Sequence, residues 1–119
     1  VVIVEDSIIR GTTGRSRVQS LRRAGATEVH MLVSCPPTCH ACYYGIDFPS
    51  PKQLIAANNS VDEIRDYLGL DSLHYLSVEG LVKATGLPRD QFCLACFTGE
   101  YPVAPDTNFT KEALAGCCG

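Results

Sequence analysis

The fold of this chain is decided by residues 1–13, which read Val1-Val2-Ile3-Val4-Glu5-Asp6-Ser7-Ile8-Ile9-Arg10-Gly11-Thr12-Thr13. The β-branched run at 1–4 predicts a strand that is buried on both faces, as in a parallel sheet. Ligands in open α/β sheets bind beyond the carboxyl ends of the strands, so the acidic residues at 5 and 6 lie where a site is expected. The hydroxyl-bearing residues and the glycine that follow predict a helix N-terminus, which favours an anion.

A purely structural alternative is that the acidic residues cap the helix and that residues 11–13 form only a turn. Two adjacent carboxylates repel one another, however, and vicinal sugar hydroxyls or a Mg²⁺ ion would offset that repulsion. The hydroxyls of Ser7, Thr12 and Thr13 suit a phosphate, and Gly11 lets the backbone approach it closely. The order of these features therefore favours a site that holds a sugar on one side and its phosphate on the other.

The next elements predict an α/β fold with a parallel sheet. Thr12 or Thr13 is expected to cap a helix over about 14–24 that stops at Gly25, and residues 28–34 form a second strand. A strand–helix–strand unit of this length has parallel strands. The later predictions are a loop over 35–42, a helix over 51–57, a helix from a Ser60–Glu63 capping box to Gly69, a strand over 73–78, a helix opened by Ser77 or Glu79 and ending near Gly86, and a loop-like remainder from Leu87.

The composition is that of a globular domain. The chain has 119 residues, of which 45% are hydrophobic and 19% charged, and its net charge is −3. That charge argues against a nucleic-acid or membrane-surface binder. No apolar run approaches the roughly 18 residues that span a bilayer, and no signal peptide is visible, so a cytoplasmic location is expected. Because the chain begins at Val1 and its only methionine is Met31, we expect a piece of a longer protein.

The charges are unevenly placed along the chain. Residues 1–34 carry a local charge of +2, and residues 35–119 carry −5. The simplest interpretation of the arginines in the first helix is a solvated face, and the alternative is a set of charges that steers a phosphate. These arginines are Arg15, Arg17, Arg22 and Arg23.

Five of the seven cysteines form two clusters. Cys35, Cys39 and Cys42 lie in a proline-constrained loop, and Cys93 and Cys96 form a Cys-x-x-Cys pair. The clusters can meet in the fold and supply thiolates to Zn²⁺ or to an iron–sulfur cluster, while small buried cysteines are the structural alternative. The spacing of the first cluster also occurs in radical S-adenosylmethionine enzymes, but there the loop lies near the start of a much larger barrel.

Residues 1–13 resemble the phosphoribosyl-pyrophosphate (PRPP) signature of type I phosphoribosyltransferases. In that family the acidic pair holds the ribose hydroxyls, often with Mg²⁺ nearby, and the following loop holds the 5-phosphate. The resemblance implies Mg²⁺ at Glu5 and Asp6 and no catalytic residue in this chain. The implied PRPP-binding residues are Glu5, Asp6, Ser7, Ile8, Ile9, Arg10, Gly11, Thr12 and Thr13. Ile9 stands where the family more often has Val, Ser or Thr.

The wider chain resembles the C-terminal part of the amidophosphoribosyltransferase family over roughly residues 1–102. The stretches that carry the resemblance are Ser7–Thr13, Ala24–Val29, Tyr44–Asp47, Ser60–Arg65, Leu76–Leu81 and Cys93–Pro102. The resemblance implies the C-terminal part of a type I phosphoribosyltransferase fold with a short helical, cysteine-containing region. The expected divisions are a PRPP-binding βαβ part at 1–48, a helical iron–sulfur region at 49–102 and a tail at 103–119.

The iron–sulfur branch of that family holds a structural [4Fe–4S] cluster with four cysteines. The resemblance maps three of the ligands onto Cys42, Cys93 and Cys96 and places the fourth outside this chain. Cys35 and Cys39 are then extra, as plain loop cysteines or as a substitute ligand.

The implied enzyme makes 5-phosphoribosylamine from PRPP and glutamine-derived ammonia, the first step of de novo purine biosynthesis. Its expected partners are a glutaminase domain of the same polypeptide, purine nucleotides as feedback inhibitors and further copies in a homo-oligomer, with no nucleic acid and no membrane. The glutaminase nucleophile, the pyrophosphate loop and the closing lid would lie upstream, so the isolated chain is expected to be inactive. Two alternatives stay open: another type I phosphoribosyltransferase, and a small zinc- or iron-binding protein without transferase activity.

Overall fold

A three-stranded parallel sheet organises the chain. The computed structural model describes residues 1–46 and 50–105. Strands β1 (Val2–Glu5), β2 (His30–Val33) and β3 (Ser72–Tyr75) lie in that order. Both pairings are parallel, and Met31 is in register with Ile3 and Leu73. The predicted α/β class and the strand–helix–strand unit are therefore confirmed.

Five helices connect and flank the strands in the described residues: α1 (Thr12–Arg23), α2 (Ile55–Asn58), α3 (Val61–Leu68), α4 (Val78–Thr85) and α5 (Ala95–Thr98). Short 3-10 turns cover Pro51–Gln53 and Arg89–Gln91. The predicted capping box at Ser60 and Glu63 opens α3, and Ser77 caps α4. None of these helices has the length and apolarity needed to cross a membrane.

Several predicted boundaries differ from the structure, including the second strand, which was predicted over 28–34 and covers His30–Val33. The third strand ends at Tyr75 rather than at 78, because the backbone must turn to let Ser77 cap α4. The helix predicted over 51–57 is divided at Leu54, whose extended backbone separates the 3-10 turn from α2. The remainder from Leu87, predicted as loop-like, contains the Arg89–Gln91 turn and α5.

The core lies on one face of the sheet. Met31 is fully buried there, and Val18 of α1 and Ile64 and Leu68 of α3 are each 1% exposed. The apolar residues of both helices thus cover the same sheet face, which fixes the position of α1 and of the loop that precedes it.

The prediction that the first strand is buried on both faces is wrong within the described residues. Ile3 is partly buried against the core, whereas Val2 and Val4 are 59% and 69% exposed. Leu32, which is in register with Val4, is 45% exposed on the same face. Neighbouring side chains of a strand point to opposite faces of the sheet, so an apolar run places apolar side chains on both faces. It does not show which element, if any, packs over each face.

An ion pair joins the end of α1 to the start of the sheet. Arg22 Nη2 lies 2.6 Å from Asp71 Oδ2, and the same oxygen accepts a hydrogen bond from the Val29 backbone N–H at 2.7 Å. The Val29 N–H and then the Arg22 guanidinium lower the pKa of Asp71. A lowered carboxyl pKa adds stability above the unfolded value of about 3.9, and this stability is lost as pH falls through the folded pKa.

We therefore expect Asp71→Asn to lower the thermal midpoint at pH 7, and the difference from wild type to shrink as the pH falls below about 4. Thermal melts followed by circular dichroism across this range measure it. The exposed Asp90→Asn is the matched control and should leave the midpoint unchanged. A difference for Asp71→Asn that is as large at pH 2 as at pH 7 would contradict the role of the ionised carboxylate.

Candidate functional site

A pocket of about 640 Å³ lies at the carboxyl end of β1. Its walls are the residues from Glu5 to Gly14 together with Arg17 and Ile46. All nine residues that the sequence predicts for PRPP binding therefore border one space. Gly14, Arg17 and Ile46 are additional members that the motif did not indicate.

The N-terminus of α1 opens on this pocket without a side-chain cap. Gly11 is the N-cap residue with φ of 78°, no side chain caps the helix, and no acidic residue lies in the first turn. The prediction that Thr12 or Thr13 caps the helix is wrong, because both are already helical and the left-handed turn is made at Gly11. First-turn N–H groups have no intrahelical partner, so this end is suited to bind an anion.

Contacts with α2 and the preceding turn hold the loop in place. The Ile9 carbonyl accepts a hydrogen bond from the Ile55 N–H at 2.8 Å, and Arg10 Nη2 donates to Gln53 Oε1 at 3.2 Å. The Ile8 side chain is 6% exposed and belongs to the core. Ile8 can therefore face a ligand only through its backbone, while its side chain anchors the loop.

The two acidic residues have different surroundings. Glu5 has a side chain that is 19% exposed and forms an ion pair with Arg17 of α1. Asp6 is exposed, and its Oδ1 accepts a hydrogen bond from Ser7 Oγ at 3.3 Å. In this arrangement Asp6 is open to a sugar hydroxyl or a cation, whereas the charge of Glu5 is already balanced.

The arginines of α1 do not form a uniformly solvated face. Arg17 pairs with Glu5 and Arg22 with Asp71, and the Arg15 guanidinium lies 4.8 Å from the centre of the Tyr67 ring. The repulsion between the two adjacent acidic residues could have indicated that a cation lies nearby. Four arginines on one helix left the choice open until the packing of α1 was known.

The two cysteine clusters meet in the structure. The Cys39 and His40 backbone N–H groups donate to the Cys96 carbonyl at 3.1 and 3.0 Å. The Tyr101 hydroxyl donates to the Ala41 carbonyl at 2.7 Å. The proline-constrained loop is thus attached to α5 and the turn after it, which brings Cys42 to the same region as the Cys-x-x-Cys pair.

The thiols at this junction fall into two groups, of which the first is Cys42, Cys93 and Cys96. The Cys42 sulfur accepts the Tyr44 N–H at 3.4 Å. Burial raises the pKa of the Cys96 thiol, and the neighbouring Cys42 and Cys93 raise it further. The backbone bonds from Cys39 and His40 to the Cys96 carbonyl bring the loop that carries Cys42 next to the Cys-x-x-Cys pair.

The second group is Cys35 and Cys39, whose thiols are engaged by backbone carbonyls. The Cys35 thiol donates to the Pro36 carbonyl at 3.2 Å, and the Cys39 thiol donates to the Ala56 carbonyl at 3.3 Å. Burial, and then the neighbouring Cys96 and Asp6, raise the pKa of Cys35 to about 11, and burial also raises the pKa of Cys39. Two further cysteines, Cys117 and Cys118, lie outside the described residues.

No group of three or more His, Cys, Asp and Glu side chains in residues 1–46 and 50–105 is arranged to hold a single metal ion. A structural zinc site needs four ligands around one ion, with Zn–S distances of about 2.3 Å. The described part of the chain therefore offers no preformed site of that kind.

Individual relatives, rather than a family model, show which proteins this chain resembles. No family model matches it. It is 55% identical over 112 residues to amidophosphoribosyltransferase 2, chloroplastic, of Arabidopsis thaliana, covering 94% of this chain and 20% of the relative. It is 56% identical over 106 residues to amidophosphoribosyltransferase of Bacillus subtilis, covering 86% and 22%.

A solved structure extends this likeness to the fold. The glutamine phosphoribosylpyrophosphate amidotransferase of B. subtilis, complexed with ADP and GMP, superposes with a TM-score of 0.85 at 52% identity, over 92% of this chain and 25% of that one. The chain thus spans about a quarter or less of the length of these relatives. In sequence and in fold, it belongs to the amidophosphoribosyltransferase family as a segment of such an enzyme.

Proposed function

We propose that this segment supplies the PRPP-binding loop of an enzyme that makes 5-phosphoribosylamine from PRPP and glutamine-derived ammonia, the first step of de novo purine biosynthesis. The observation that carries the proposal is the uncapped N-terminus of α1, which opens on the pocket that the exposed Asp6 also borders. A sugar phosphate offers matching groups, since an anion suits the helix end and hydroxyls suit a carboxylate.

Different loop residues would bind different parts of PRPP. Backbone N–H groups of residues 11–13 and the exposed hydroxyls of Thr12 and Thr13 would hold the 5-phosphate. Asp6 would hold the ribose hydroxyls and approach Mg²⁺, and Glu5 would join it through Oε2 while Oε1 stays paired with Arg17. Mg²⁺ would neutralise the departing pyrophosphate. Ammonia is itself a nucleophile, so no residue of this segment is assigned as catalytic.

We also propose that Cys42, Cys93 and Cys96 hold a structural [4Fe–4S] cluster with a fourth cysteine from outside this chain. Thiolates are the ligands of such clusters, and the backbone bonds from Cys39 and His40 to the Cys96 carbonyl attach the loop of Cys42 to the helix of the Cys-x-x-Cys pair. The N–H group of Tyr44 that points at the Cys42 sulfur is the kind of contact that tunes a cluster thiolate. Cys35 and Cys39 are not assigned as ligands because their thiols already donate to backbone carbonyls.

The proposed divisions separate roles rather than folding units. Residues 1–48 would bind PRPP, residues 49–102 would carry the helical iron–sulfur region, and residues 103–119 would form a tail. Strand β3 of the second part pairs with β2 of the first, so one sheet runs through both.

The remaining proposals concern the longer protein. We assign it a glutaminase domain in the same polypeptide, purine nucleotides as feedback inhibitors, a homo-oligomeric state and a cytoplasmic location. The B. subtilis relative was solved with ADP and GMP, and a second solved relative, at 52% identity, is described as the allosteric regulatory enzyme of purine biosynthesis. The Arabidopsis relative is chloroplastic by name.

The direct test is pyrophosphate release from PRPP, with Mg²⁺ and ammonium, by the longer protein that contains this segment, called the full chain below. We expect activity in the wild type, and a loss of kcat/KM for PRPP of about tenfold or more in Asp6→Asn, because a charged hydrogen-bond acceptor is removed. Asp90→Asn is the matched control. The isolated 119-residue segment should be inactive.

The same assay separates the alternatives. Activity with a purine base in place of ammonium would support another type I phosphoribosyltransferase. Full-chain protein that releases no pyrophosphate with either acceptor would overturn the proposal, as would Asp6→Asn with wild-type kinetics.

A further inference from the structure

Arg17 brings a positive charge to the side chain of Glu5. It lies in the second turn of α1, its Nη1 pairs with Glu5 Oε1, and both residues border the pocket. The Glu5 side chain is only 19% exposed, so water screens its charge poorly. The Arg17 side chain is 48% exposed.

The formal charges around the pocket balance only when Arg17 is counted. Glu5 and Asp6 are the acidic residues of its lining, and Arg10 and Arg17 are the basic ones. A phosphate group brings further negative charge, about −1.5 to −2 at neutral pH for a monoester. Without Arg17 the lining would be net negative, and the poorly screened Glu5 carboxylate would repel the incoming anion.

We propose that Arg17 is a positioning residue that neutralises Glu5 and thereby keeps the pocket receptive to a phosphate. The inference rests on the proposed function of the loop and adds a requirement for phosphate binding that the loop motif does not contain. Arg17 acts through Glu5 rather than as a phosphate ligand, because its guanidinium is engaged by the carboxylate while the helix N-terminus offers the anion site.

A double-mutant cycle tests this with inorganic phosphate as the probe and calorimetry on the full chain. Phosphate has no sugar hydroxyls, so replacing Glu5 removes charge without removing a ribose contact. We expect Arg17→Met to weaken phosphate binding about fivefold. Adding Glu5→Gln to Arg17→Met should restore the affinity to within about twofold of wild type.

Two further variants separate the charge of Arg17 from its other contacts. Arg17→Lys keeps the charge and should bind phosphate like wild type. Arg23→Met is the matched control, because it removes a cation of the same helix that does not border the pocket. Glu5→Gln alone should tighten phosphate binding, which keeps the test decisive if Arg17→Met proves unstable by circular dichroism.

Two results would overturn the inference: a loss in Arg17→Met that Glu5→Gln does not rescue, which would make Arg17 a direct ligand, or no loss at all. A wild type that binds neither phosphate nor ribose 5-phosphate would instead count against the proposed function.

Discussion

Gly11→Ala is expected to destabilise the start of α1 by about 2 kcal/mol and to abolish phosphate binding at the loop. Gly11 has φ of 78°, a backbone conformation that costs a residue with a side chain about 1–3 kcal/mol. A Cβ at this position would lie 3.0 Å from Ile55 Cδ1 and 3.2 Å from Tyr67 Cε1. To relieve the backbone strain and these close contacts, the loop backbone that the phosphate must approach would have to move.

Hydrogen exchange of the α1 amides in the full chain measures the stability change, and calorimetry with phosphate measures the binding. Gly86→Ala is the matched control, because Gly86 has φ of 71° but nothing lies within 4 Å of the point that a Cβ would occupy. It should lose local stability at the end of α4 and keep phosphate binding. Gly11→Ala with unchanged protection and unchanged affinity would refute the structural role given to Gly11.

Cys96→Ser is expected to abolish the iron–sulfur cluster of the full chain. A serine hydroxyl is a much harder and more basic donor than a thiol, and loss of one of three thiolates from this segment leaves the cluster open. Anaerobically prepared wild type should contain about four irons per chain and absorb broadly near 400 nm, and the variant should lose both signals.

Cys39→Ser is the matched control for this experiment. Its thiol lies in the same loop region but donates to the Ala56 carbonyl, so the variant should keep its iron and its absorbance. Loss of iron in Cys39→Ser would instead make Cys39 a ligand. A colourless wild type with one bound zinc would support the metal-binding alternative and contradict the cluster assignment.

Local sequence signals predicted the elements that depend on neighbours in the chain. The capping box at Ser60 and Glu63 and the Ser77 cap bring their partners within three residues, so no long-range packing was needed to find them. The loop motif was found for the same reason, since its thirteen residues are contiguous along the chain. In the structure, nine of them border one pocket.

Predictions failed where a distant element made the decision. The exposure of Val2 and Val4 depends on what lies over the sheet, which the apolar run cannot specify. The short helix α5 contains too few residues to show a helical period. The cap of α1 was misassigned because threonine is a common N-cap, whereas the left-handed turn lies one residue earlier at Gly11, where Ile55 and Tyr67 leave no room for a Cβ.

By itself, the sequence determined the α/β class, the family and the contiguous loop at residues 5–13, because these follow from backbone periodicity and from groups adjacent along the chain. Only the tertiary structure decided that Arg17 pairs with Glu5, that Asp6 is the exposed acid, and that the loop of Cys39 is bonded to the Cys96 carbonyl while the Cys39 thiol donates to Ala56. Charge compensation and thiol grouping depend on distances between elements, and packing of the helices on the sheet sets those distances.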